Sequence, residues 1–143
     1  MEYTTEIEIN APVTKVAGLL GNHEQMTKWM KEVKSFKALS GKPRHAGSKT
    51  LLRMHVGKEV DVVETIVEAE LPDRIVTEYE MEYGKLVVES KLRSAGKGAA
   101  VLTMGHRFEL KGMLKLAAAV MKPVFIKHSQ NMMESFKAVA EAK

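Results

Sequence analysis

Cysteine is missing from all 143 residues. Its absence excludes disulfides, thiolate zinc sites, iron–sulfur clusters and cysteine nucleophiles together, and it fits a reducing compartment. The opening residues Glu2, Tyr3, Thr4, Thr5 and Glu6 lack the basic start and apolar run of a signal peptide, so a cytoplasmic location is expected. Long apolar runs are also scarce. The longest, Leu116 to Ile126, is broken by Lys122 and Pro123 and falls short of the roughly 20 residues of a membrane span, so no integral membrane segment is expected.

No block of one charge sign occurs. The formal net charge is +4, but the lysines are spread along the chain, and no nucleic-acid motif accompanies them. Nucleic acid is therefore not an expected partner. Metal-ligand spacing is missing too: His23, His45, His55, His106 and His128 form no zinc-protease pattern and stand beside no paired-carboxylate motif, so no metal site is expected.

Cofactor signatures are equally absent. Gly41 to Thr50 superficially looks like a phosphate-binding loop, but it reads Gly-Ser-Lys-Thr where Gly-Lys-Ser/Thr is needed and joins two strands rather than a strand to a helix. Gly96-Lys97-Gly98 is a hairpin tip, without the helix a dinucleotide fingerprint requires. No cofactor is expected.

What remains is an ordinary globular composition, 45% apolar and 28% charged. It predicts one folded domain over residues 1–143, a length at which folding buries roughly 70% of the chain's surface. Ten methionines stand out. Met is unbranched and polarizable, so it serves equally as a gap-filler in a core and as the lining of an adaptable binding surface.

Hydrophobic periodicity orders the elements. Thr4 to Asn10 alternates as a strand with Thr5, Ile7 and Ile9 on one side. Ala11-Pro12 ends it, and Val13 to Leu20 forms a short helix stopped by Gly21-Asn22. His23 to Met30 forms a second one. Extended patterns then occupy Val33 to Leu39, Ser48 to Val56, Glu59 to Glu70, Arg74 to Glu82, Leu86 to Ser94 and Ala99 to Leu110, separated by turn residues such as Gly57-Lys58 and Leu71-Pro72-Asp73.

After Gly112 the period changes. Met121, Phe125, His128, Met132, Phe136 and Val139 recur every three or four residues and mark one face of a long helix, which Pro123 is expected to start or kink after a short helical lead-in over Met113 to Val120. Such a stripe must bury itself on a sheet face, giving an α+β domain.

This order resembles the helix-grip fold: a curved seven-stranded antiparallel sheet wrapped around a long C-terminal helix, with two short helices between strands one and two. Ile9-Asn10-Ala11-Pro12-Val13, Trp29-Met30, Val33, Leu39-Ser40-Gly41, Gly47-Ser48, Glu64, Pro72-Asp73-Arg74-Ile75-Val76 and Phe136-Lys137 carry the resemblance. The chain is similar to the START-related (SRPBCC) superfamily, which includes polyketide cyclases, plant pollen allergens and lipid-transfer proteins. The resemblance implies a cavity between the long helix and the concave sheet face, holding a small apolar or amphipathic molecule. A fold with many functions does not select among them.

Within that cavity, alternation and helical phase nominate Met54, Tyr79, Met81, Met104, His106, Phe108, Met121, Phe125 and Met132, and the resemblance implies that Trp29 lies near one mouth. His106 is a polar group on an otherwise apolar strand face. It either orients a ligand and moves a proton or is a core histidine bonded to backbone. Tyr79 offers a phenol to a ligand or sends its hydroxyl to water, and Trp29 either gates the entrance or anchors the packing. Arg53 is expected in solvent unless a bulge reverses the strand. Lys115, Lys122, Lys127 and Lys137 are expected on the helix's outer face. The leading expectation is a carrier or sensor without catalysis. A cofactor-independent cyclase- or hydratase-like enzyme and a protein-interaction module are the alternatives.

Overall fold

The computed structural model describes residues 1–142. In chain order the elements are β1 (Glu2–Ile9), α1 (Val13–Leu20), α2 (His23–Trp29), β2 (Val33–Ser40), β3 (Lys49–His55), β4 (Glu59–Glu70), β5 (Arg74–Met81), β6 (Gly84–Ser94), β7 (Ala100–Leu110) and α3 (Met113–Glu141). All seven strands form one antiparallel sheet in the order β1-β7-β6-β5-β4-β3-β2. Consecutive strands from β2 to β7 pair as hairpins, and β1 lies beside β7, with Glu2 opposite Arg107 and Ile9 opposite Ala100. This is the helix-grip arrangement.

Local chemistry sets the breaks. Pro12 lies immediately before α1 in extended backbone, and Gly21 closes that helix by donating its N–H to the Ala17 carbonyl at 2.9 Å. Asn22 then caps α2: its Oδ1 accepts from the backbone N–H groups of Glu24 at 2.8 Å and Gln25 at 3.2 Å, satisfying two donors the helix leaves open. At the β5–β6 turn, Gly84 has φ 148°, and a Cβ there would meet Leu110 Cα at 2.9 Å, so only glycine fits. A bulge in β4 between Ile66 and Glu68 bends the strand beside β5.

The concave face of the sheet carries the alternate residues of each strand. Ile66 and Ile75 are buried there, and Ile9, Leu52, Val62, Leu92 and Leu102 join Val16 and Leu20 of α1, Met26 and Trp29 of α2, and Met133, Phe136 and Ala140 of α3 in one core. Trp29 and Phe136 pack edge to face, with ring centroids 5.0 Å apart. Polar ties fasten the end of α3 to the other end of the chain. Lys137 Nζ donates to the Glu8 carbonyl at 2.7 Å, and Glu141 Oε2 accepts from the Asn10 N–H at 2.8 Å.

In α3 the structure departs from the expected pattern. Met113–Glu141 is one continuous helix with Pro123 inside it, rather than a lead-in followed by a separate main helix. Pro123 has no N–H, which leaves the Ala119 carbonyl without its intrahelical donor but does not end the helix. Upstream of Pro123 the helix is not covered: Met113 is 85%, Leu116 82% and Val120 80% exposed. Downstream the buried side chains are Ser129, Met133, Phe136 and Ala140, with Phe125, Met132 and Val139 partly covered. The burial stripe is thus rotated from the one expected, and His128, with 58% of its side chain exposed, lies at its margin.

Candidate ligand cavity

Between α2, α3 and the concave face of the sheet lies a cavity of about 160 Å³. Strand alternation directs Met54 of β3, Tyr79 and Met81 of β5, and Met104, His106 and Phe108 of β7 into its wall. Trp29 of α2 and Phe125 and Met132 of α3 close the opposite side. Trp29 is 4% exposed and locked against Phe136, which makes it a packed part of the wall. Met121 does not belong to the wall. It is 39% exposed, because it precedes the point at which α3 comes under the sheet. Arg53 faces solvent, with 63% of its side chain exposed, beside Asp61.

Six of the chain's ten methionines line the space: Met26, Met30, Met54, Met81, Met104 and Met132. Glu32 and His128 also border it. Their side chains are 31% and 58% exposed and approach to 3.7 Å, which marks the side open to solvent.

Two polar clusters interrupt the apolar wall. In the first, the rings of Tyr3 and His106 stack with centroids 4.6 Å apart, and Ser129 Oγ lies 2.7 Å from the Tyr3 hydroxyl and 3.5 Å from His106 Nε2. Tyr3 also donates to the Phe125 carbonyl at 3.2 Å. One proton arrangement runs through these contacts: His106 Nε2–H donates to Ser129, Ser129 to Tyr3, and Tyr3 to Phe125, which leaves His106 Nδ1 buried without a partner. Burial pushes the His106 pKa down to about 4, with the Met104 backbone offsetting part of the effect, so the imidazole is neutral at physiological pH.

The second cluster was not expected as a unit. Glu64 of β4 points inward between Val62 and Ile66 and is 1% exposed. Its Oε1 accepts from His23 Nε2 at 2.7 Å, and its Oε2 lies 3.2 Å from Arg44 Nη1 in an ion pair off the line of a hydrogen bond. Arg44 reaches in from the β2–β3 loop with φ 65°, and its Nη2 donates to the Leu20 carbonyl. Tyr79 stands beside Arg44 and Thr77, and burial, reinforced by the Glu64 charge, holds its phenol protonated far above the usual tyrosine range.

Glu64 had one available sequence signal: a carboxylate at an inward position of a strand demands cationic company. Arg44 and His23 had none, because a loop residue with positive φ and the first residue of a short helix follow no strand or helix period. Among the described residues, no group of three or more His, Cys, Asp or Glu is arranged to hold a metal ion. None of their helices is long and apolar enough to cross a membrane.

Known structures share this architecture. Ara h 8.0201 superposes with a TM-score of 0.76 at 17% identity, covering 98% of this chain and 97% of its own. A START superfamily protein from Mycobacterium smegmatis gives 0.77 at 15% identity over 98% and 97% of the two chains. A protein from Thermus thermophilus gives 0.75 at 17% identity over the same shares. At these identities the likeness is one of fold. Among curated protein sequences none matches the chain. The family model for polyketide cyclase / dehydrase and lipid transport matches residues 1–141, nearly the whole of the sequence, and the chain belongs to that family.

Proposed function

We propose that the protein is a cytoplasmic carrier or sensor that encloses a small apolar or amphipathic molecule between α3 and the sheet. The observation that carries this reading is the methionine- and aromatic-walled cavity with a few polar groups set into it, the usual make-up of a small-molecule site. Unbranched thioethers re-pack at low cost, so the space adapts to a guest larger than its resting volume.

The polar groups favour binding over turnover. A general base works best with a pKa near the operating pH, and His106, at about 4, is a weak base in neutral solution. Tyr79 keeps its proton and is equally unsuited to abstracting one. Both serve as fixed hydrogen-bonding points for a guest.

Native mass spectrometry of the gently purified protein, followed by denaturing extraction, tests the proposal. A stoichiometric apolar compound released on denaturation is the expected result. A protein that emerges empty and takes up no added long-chain amphiphile would sink it.

A further inference from the structure

We infer that the cavity recognises a carboxylate at the polar end of its guest, and that Arg44, assisted by the Tyr79 phenol, is the recognising group. The inference rests on the carrier reading and specifies the ligand class. The Arg44 side chain is only 9% exposed and lines the cavity, yet its Nε has no hydrogen-bond partner and its Nη1 meets Glu64 only off axis. A buried N–H left without an acceptor is costly, so a native site holding such donors is built for an acceptor supplied from outside the chain.

The geometry explains why those donors stay available. Glu64 does not saturate the guanidinium, because His23 occupies Oε1 and only Oε2 faces Arg44. The Leu20 carbonyl anchors Nη2 and holds the fork in place. Tyr79 adds a neutral O–H beside it and carries no negative charge to repel an anion. Several convergent donors, with Glu64 Oε2 beside them but off their axes, call for a group with several lone pairs. A carboxylate has about four and meets a guanidinium edge with two parallel bonds, whereas an alcohol or ester carbonyl satisfies one donor at a time. The apolar wall beyond fits the body of an aliphatic or aromatic acid.

Calorimetric titration of the full chain with decanoate and with decanol, which share an apolar tail, tests this. Decanoate is expected to bind at least about tenfold tighter, the factor that one charge-assisted bond supplies. Arg44→Met should collapse that ratio toward one, and Tyr79→Phe should reduce it about threefold, in line with a single neutral hydrogen bond. Because Arg44→Met strands the Glu64 charge, the double variant Arg44→Met/Glu64→Gln provides a folded counterpart, checked by near-UV circular dichroism. Equal affinity for the two compounds in the unaltered protein overturns carboxylate recognition and leaves the carrier reading standing. A preference that survives in the double variant overturns the role of Arg44. Failure of both compounds to bind removes the carrier reading itself.

Discussion

His23 donates to Glu64 at 2.7 Å across 41 positions of sequence, with side chains 5% and 0% exposed. A carboxylate so enclosed depends on its partners, since removing one side of a buried ion pair costs about 3–5 kcal/mol while replacing the whole set by apolar groups is close to neutral. Glu64→Leu, which strands Arg44, should therefore lower stability by about 3 kcal/mol or more. The triple variant His23→Leu/Arg44→Met/Glu64→Leu should recover most of that loss. Urea unfolding of the two proteins reads the difference directly.

A second expectation concerns acid. The His106 pKa falls from 6.5 in the unfolded chain to about 4 in the fold, so between those values the unfolded state binds the extra proton. The stabilisation is complete above pH 6.5 and is lost as pH drops toward 4, amounting to about 3 kcal/mol at full extent. His106→Gln should flatten the stability curve in that window and leave the steeper carboxylate-dependent fall at lower pH in place. Thermal melts at half-unit pH steps would show whether the two curves diverge there.

Tyr3 ties the edge strand to the middle of α3 through Ser129 and the Phe125 carbonyl. Tyr3→Phe keeps the ring stacked on His106 but deletes those bonds, and it should cost about 1–2 kcal/mol, the usual value of a buried hydrogen bond with its orphaned partner. Faster amide exchange around residues 125–133, with little change in the hairpins, is the expected pattern. Uniform loosening of the whole sheet would contradict this local role.

Met81 is a half-buried wall position and can accept a larger side chain without crushing the core. Met81→Trp should fill part of the cavity and reduce decanoate affinity at least about tenfold, with a stability change within the 1–3 kcal/mol typical of overpacking. Affinity that remains unchanged would place the guest elsewhere.

Much of the cavity was legible in the sequence because strands report their faces every second residue. Met54, Tyr79, Met81, Met104, His106 and Phe108 all sit on the side that alternation assigned to them. The helix was less faithful. A 3.6-residue period marks which residues are apolar together, but not how far the sheet extends beneath them, so Met121 fell outside and Ser129, a small polar residue that breaks no pattern, became buried. Arg44 escaped for another reason. It enters the cavity through a left-handed backbone turn in an irregular loop, where no periodicity links the side chain to a face. Chemistry alone could have flagged Glu64, because an inward carboxylate needs a counter-charge from elsewhere in the chain.

The pairing of β1 with β7 also sets the order in which the molecule can be assembled. Glu2 finds its neighbour Arg107 only after six other strands' worth of chain has been made, whereas β3 to β7 each join the strand before them through a local hairpin. During synthesis the first strand must therefore wait beside a growing sheet. Its docking, together with the Lys137 and Glu141 ties from α3, is the long-range closure that turns a row of hairpins into a closed fold.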